Sequence, residues 1–167
     1  MADKDCLISQ EYLNQLFTYT EGKLFWKNPT LRSKMKAGER AGTKSLDNRI
    51  YVTIHSKRFA EHRLIFMLHH GWFPKEVDHI DTNTLNNDIK NLRAATPSQN
   101  KSNRGIMRNN TSGVKGVNWQ KNAKKWCASC QVNKKRVRLG YFENIEDAEK
   151  AVKSAREQLH GQFARHL

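Results

Sequence analysis

Val77-Asp78-His79-Ile80-Asp81, followed by Asn91-Leu92 and then by Thr96-Pro97-Ser98-Gln99-Asn100, is the stretch on which the reading of this chain turns. Residues 77–80 read as a short strand, 81–88 as an Asn/Asp/Thr-rich loop, and 91–95 as a returning strand. Thr96 and Gln99 stand at capping-box spacing and Pro97 falls at the first helical position, so a helix opens there. Strand, loop, strand and helix make a ββα unit, with Asn100 on the opening turn of its helix. Such a unit can gather an Asp-His pair and two asparagines into one small site.

That set of side chains suits phosphodiester hydrolysis. His79 has the resting basicity to take a proton from water near neutral pH. Asp78, its neighbour in a strand, points the opposite way and can hold a metal. Asn100 offers a neutral carbonyl oxygen as a second ligand, and hard oxygen donors suit Mg²⁺ or Mn²⁺. Asn91 can hydrogen-bond across the loop base and orient the imidazole. The plainer reading stands beside it. One Asp-His pair arises readily by chance, Asn-rich loops usually exist to make turns, and chemistry alone does not separate Asn86, Asn87 and Asn91.

The rest of the chain is suited to a polyanion. Its 167 residues carry 30 Lys and Arg against 16 Asp and Glu, a net charge of +14. The excess is uneven: residues 1–100 hold 15 basic and 11 acidic side chains, residues 101–167 hold 15 and 5. Nucleic acid is the partner such a balance favours over membrane. No apolar run is long enough to span a bilayer, and the polar start, Met1-Ala2-Asp3-Lys4-Asp5, does not read as a signal peptide. Three cysteines, Cys6, Cys127 and Cys130, argue for a reducing compartment, hence a cytoplasmic protein. Cys127-x-x-Cys130 lacks a second ligand pair at zinc-finger spacing and lies in an alternating run, where residues three apart face opposite ways. It reads as structural.

Ahead of the central stretch, Ser9 caps a short helix with Tyr12, Leu13, Leu16 and Phe17 on one stripe. Residues 23–26 and 50–54 read as strands. Residues 27–49, between them, form a basic loop that is solvated or touches DNA. Residues 60–69 read as a helix closed by Gly71, with His62 packed or hydrogen-bonded. His55, His69, His70, His160 and His166 have no partners in sequence.

Beyond a linker, residues 117–120, 125–132 and 136–139 read as three strands. Alternation places Val117, Trp119, Trp126, Ala128, Cys130, Val132, Val137 and Leu139 on one face. The other face carries Asn118, Gln120, Lys125, Cys127, Ser129, Gln131, Arg136 and Arg138. Asn144 begins a helix whose stripe of Ala148, Ala151, Val152, Ala155 and Leu159 covers the apolar face and ends near Gly161.

On these residues two resemblances emerge. His62-Arg63-Leu64 through Asp78-His79-Ile80-Asp81, Asn86-Asn87, Asn91-Leu92 and Gln99-Asn100 resemble HNH endonucleases of the phage and intron-homing kind. The resemblance implies Asp78 and Asn100 on a metal, His79 as general base and Asn91 as its support. It also implies products with a 5′-phosphate and a 3′-hydroxyl. Gly113-Val114-Lys115-Gly116-Val117, Trp126, residues 136–142 and the Ala-rich helix resemble the DNA-binding domain of plant ethylene-response factors (the APETALA type). That implies major-groove contacts from Asn118, Gln120, Lys125, Gln131, Arg136 and Arg138.

The expected fold is α+β: a ββα-metal nuclease module followed by a small three-stranded antiparallel sheet on one helix. The expected organisation is residues 1–59 as the start of the nuclease module and 60–104 as its catalytic core. Residues 105–111 follow as a linker, and 112–167 as the DNA-binding domain. The expected protein is a phage-encoded, Mg²⁺- or Mn²⁺-dependent enzyme acting on double-stranded DNA inside the host cell, possible as a monomer. The competing class is a DNA-binding regulator that does not cut.

Overall fold

The computed structural model describes residues 8–29, 34–103, 105–106, 109–132 and 135–164. Cys6 and His166 lie outside the described residues, as do the side chains of Val132 and His160. Among the described residues the chain is a mixed α/β protein with four α-helices and several small antiparallel sheets. It divides into two compact units, Met1–Ala95 and Thr96–Leu167. The division falls at the capping box, whereas the sequence reading carried its catalytic core on to residue 104.

The first unit opens with α1 (Gln10–Leu16), capped as expected by the Ser9 hydroxyl, which accepts from the Tyr12 amide. Its apolar stripe, Leu13 and Leu16, is buried. Phe17 does not continue the helix. It starts β1 (Phe17–Thr20), which pairs with β2 (Lys23–Trp26) across a two-residue turn with Glu21 and Gly22 both at positive φ. That turn shape suits the right-handed twist of a hairpin. Gly22 also has to be small, because a Cβ there would sit 2.7 Å from the Asp88 amide nitrogen. The turn therefore presses directly on the loop that leaves the Asp-His strand.

A second small sheet runs β3 (Thr43–Lys44), β4 (Ile50–Ile54) and β5 (Lys57–Ala60). It leads straight into α2 (Glu61–His70), which stops at Gly71 in the left-handed conformation, with the Gly71 amide bonding the Met67 carbonyl. Leu64, Ile65 and Phe66 enter a common core with Leu13, Leu24, Val52 and Ile54. The loop expected over 27–49 is not wholly solvated, since Arg40 bridges to Phe25 of β2 and turns inward. Then come β6 (Glu76–His79) and β7 (Leu92–Ala95), an antiparallel pair with Asp78 opposite Arg93 and His79 opposite Leu92.

The second unit begins with α3 (Pro97–Ser102). Its capping box forms reciprocally: the Thr96 amide donates to Gln99 Oε1 at 2.8 Å, and the Gln99 amide to Thr96 Oγ1 at 3.3 Å. Three antiparallel strands follow, β8 (Val117–Gln120), β9 (Lys125–Val132) and β10 (Lys135–Phe142), with β9 central. A bulge between Arg138 and Gly140 shifts the register of β10. Val117 and Ala128 pack against Ala148 and Val152 of α4 (Ile145–His160). Three expectations fail here, Leu159 of α4 being exposed rather than inward. Trp119 and Val137 are exposed rather than inward. Both lie on edge strands, two positions from the central Val117–Ala128 row, and a single helix covers that row but not its corners.

Candidate functional site

Asp78 and His79 both end in buried surroundings, 4% and 5% exposed, on opposite sides of β6. Each is spoken for. Asp78 Oδ2 accepts from Arg93 Nε at 2.9 Å and from a second guanidinium nitrogen at 2.8 Å. A buried carboxylate needs such a partner, because removal from water without one costs several kcal/mol. The facing register of Asp78 and Arg93 in the hairpin supplies it.

His79 Nε2 lies 2.9 Å from Asn87 Oδ1. The amide of Asn87 in turn donates through Nδ2 to Glu61 Oε2 at 2.9 Å. Glu61, fully buried at the start of α2, is clasped by Arg40 through both guanidinium NH₂ groups at 2.5 and 2.8 Å. A continuous chain thus runs Arg40–Glu61–Asn87–His79. On the other side, the His62 ring lies tilted against His79 with centroids 5.0 Å apart. Burial pushes His62 down to about 3, so its ring is neutral at neutral pH. Burial also lowers His79 below the ordinary histidine value, which the Asn87 hydrogen bond partly offsets. The nearby Arg49 guanidinium depresses both rings further.

The loop between the strands is tied by its own asparagines. Asn91 Nδ2 donates to Asp81 Oδ1 at 2.9 Å and to the Asn86 carbonyl at 2.8 Å, while its Oδ1 accepts from the Asp81 amide at 3.0 Å. Asn86 adds a bond to Asp81 Oδ2 at 2.7 Å. Asn91 therefore spans the loop base, as its position suggested. The asparagine bonded to the imidazole, however, is Asn87. Sequence reasoning also missed Glu61 and Arg40. Glu61 sits beside His62 in the segment already singled out, which was the available signal. Arg40 had none, since a lone Arg in a basic loop looks solvated.

Asn100 is on the first turn of α3, its amide bonded to the Thr96 carbonyl, and belongs to the second unit. Asp78, His79, Asn87 and Asn91 belong to the first. Among the described residues no group of three His, Cys, Asp or Glu forms a ready metal cage. One carboxylate with amide oxygens fits in kind a hard cation that keeps several of its waters, as Mg²⁺ does.

In the second unit, the open side of the sheet carries the residues expected there. Arg136, Arg138 and Gln131 are exposed, and Asn118, Gln120 and Lys125 are half-buried. Arg136 donates to Ser129 Oγ at 3.0 Å and to Asn118 Oδ1 at 3.2 Å, while Arg138 lies over the Tyr141 ring. Gln120, Cys127, Arg136 and Arg138 line one concavity. Lys125 is drawn to Glu143 at 3.4 Å. Cys127 and Cys130 are buried free thiols.

Comparison with known proteins bears on both units. Residues 59–102 match the HNH endonuclease family. That segment holds Glu61, His62, Asp78, His79, Asn87, Asn91 and Asn100, and stops short of the C-terminal sheet. The chain is also similar to Protein 3.8 of Escherichia phage T7, 38% identical over 89 residues, which is 53% of this chain and 73% of that protein. No solved structure matches significantly. Among the described residues no helix is long and apolar enough to cross a membrane.

Proposed function

Since this chain belongs to the phage family that includes Protein 3.8 and carries an HNH endonuclease domain over residues 59–102, we propose that it is a metal-dependent DNA endonuclease. It hydrolyses phosphodiester bonds to leave a 5′-phosphate and a 3′-hydroxyl. The observation that carries the reading is the His79 imidazole, buried and kept neutral on the strand beside Asp78, and hydrogen-bonded at one nitrogen by Asn87. A neutral imidazole is the form able to take a proton from water.

His79 removes the proton from the attacking water. Asn91 holds the base of the loop closed around Asp81, and Asn87 aims the imidazole. Asp78 and Asn100 are the residues that would hold Mg²⁺ or Mn²⁺. When bound there, the ion supplies charge neutralisation at the phosphoryl group and the leaving oxygen. Arg93, already on Asp78, holds that carboxylate in one orientation in the buried site. The C-terminal sheet binds duplex DNA through Asn118, Gln120, Lys125, Gln131, Arg136 and Arg138, in the manner of the ethylene-response-factor domain it resembles.

Incubating the purified protein with supercoiled plasmid, with and without Mg²⁺ or Mn²⁺, tests the proposal. Metal-dependent nicking or linearisation is expected. The His79→Ala protein should lose roughly 10²–10⁴ in rate, the usual contribution of a general base, with little change in DNA affinity. Equal turnover by the two proteins would remove His79 from the mechanism. Binding without cutting under every metal condition would make the chain a DNA-binding regulator.

A further inference from the structure

The chain Arg40–Glu61–Asn87–His79 does more than fill the core. We propose that Arg40 and Glu61 are positioning residues that select the tautomer of His79, leaving Nδ1 as the basic nitrogen of the ring. The inference rests on His79 being the general base.

The donors and acceptors along the chain fix the orientation of each link. A carboxylate accepts at about four lone-pair positions and has no proton to give. Glu61 has four donors around it. Oε1 takes the Leu24 amide at 3.0 Å and one Arg40 NH₂ at 2.5 Å. Oε2 takes the other Arg40 NH₂ at 2.8 Å and Asn87 Nδ2 at 2.9 Å. With its acceptor positions filled by donors, Glu61 can face only the NH₂ end of Asn87. The amide oxygen of Asn87 must then point the other way, at His79 Nε2. An amide oxygen only accepts, so Nε2 carries the proton. In the neutral ring Nδ1 is therefore the unprotonated nitrogen, and the one that can take a proton from water.

Each link is fixed from behind. Arg40 also donates to the Leu24 carbonyl at 2.9 Å and to the Ala41 carbonyl, so its guanidinium is pinned to β2. Glu61 sits at the first residue of α2, where a negative charge is favoured by the helix dipole. Asn87 is buried, and the backbone joining it to Asp88 abuts the Gly22 turn. An amide with one end held by a carboxylate has a single orientation. An amide between two neutral partners has two.

The test reads the ring directly. Two-bond and three-bond ¹H–¹⁵N correlation spectra of the full chain, taken where the ring is neutral, distinguish Nε2–H from Nδ1–H for His79, assigned by its absence from the His79→Gln protein. The unmodified protein should show Nε2–H, with a slowly exchanging Hε2 proton. Glu61→Gln keeps the volume but can offer Asn87 either an oxygen or an NH₂, so both tautomers should appear. Cleavage should fall by about 10–100-fold, the usual effect of losing a residue that orients a reacting histidine, with DNA affinity retained. If Glu61→Gln does not fold, Asn87→Ala serves instead: the Arg40–Glu61 pair stays, and the slow Hε2 signal should disappear. Nδ1–H in the unmodified protein, or a slow Hε2 that survives Asn87→Ala, overturns the inference, as does a folded Glu61→Gln protein with the unmodified tautomer. The spectra need no cleavage. A chain with a locked Nε2–H ring that never cuts DNA sinks the endonuclease reading alone, and one that cuts with Nδ1–H sinks only this one.

Discussion

At the scale of the residue, burial explains why the site is built from pairs rather than single groups. Exchanging Asp78 for alanine takes a charged partner away from Arg93, whose guanidinium is itself largely buried. Removing one partner of a buried pair typically costs about 3–5 kcal/mol. Asp78→Asn is the sharper probe of metal use, since it keeps an oxygen for Arg93 and removes only the charge. We expect Asp78→Asn to need more Mg²⁺ or Mn²⁺ for half-maximal cleavage than Asn100→Ala, because a carboxylate contributes charge as well as a donor atom. Titrating each metal against rate decides it, and unchanged metal dependence in both proteins would show that neither residue is a ligand. The placement of Asp78 and His79 on one strand and of Asn100 on the first turn of α3 was legible because adjacency in a strand and a capping box are local signals. The partner of the imidazole was not. Asn87 and Asn91 are the same residue type in the same loop, and only the fold, by placing Glu61 behind one of them, tells them apart.

At the scale of the element, α2 carries an acid-sensitive load. His62, on its first turn, is held down to about 3 chiefly by burial, against an unfolded value near 6.5. Between those values the unfolded chain binds a proton that the folded chain refuses. The folded state therefore loses stability as pH falls from about 6.5 towards 3, by up to about 1.4 kcal/mol per unit of pH from this group. Replacing His62 with Leu removes the titrating group, so the urea midpoint should fall less between pH 6.5 and 4.5 than in the unmodified protein. Equal loss in both proteins over that window would place the acid sensitivity elsewhere. Elements with a terminal marker were readable from sequence: Ser9 at α1, Gly71 after α2, and Thr96 with Gln99 at α3. Elements without one were blurred. Phe17 fits the α1 stripe by spacing yet starts β1, because pairing with Trp26 buries it against that ring. The bulge beside Leu139 interrupts the simple alternation of β10, yet Leu139 still packs against the core of the second unit as expected.

At the scale of the whole molecule, charge and chemistry are separated along the chain. Residues 96–167 hold 15 basic and 5 acidic side chains, while the first 95 residues are nearly balanced at 15 and 11. The unit with the imidazole is thus not the one with the strongest pull on a polyanion. Within the basic unit the sheet offers two candidate faces. One side is covered by α4, whose Lys153 already pairs with Glu149 at 2.7 Å and whose Lys150 lies near Asp147. The other side presents Arg136, held in place by Ser129 and Asn118, and Arg138, which lies over the Tyr141 ring. Replacing Arg136 and Arg138 together should therefore weaken duplex binding by the full chain. It should also lower the slope of log affinity against log salt by about 2, since each neutralised phosphate contributes about 0.9. Replacing Lys150 and Lys153 should change that slope much less. Fluorescence-anisotropy titrations across a salt series measure both. If the arginine changes leave the slope intact while the lysine changes reduce it, DNA docks on the helix side, and the open face of the sheet has some other use.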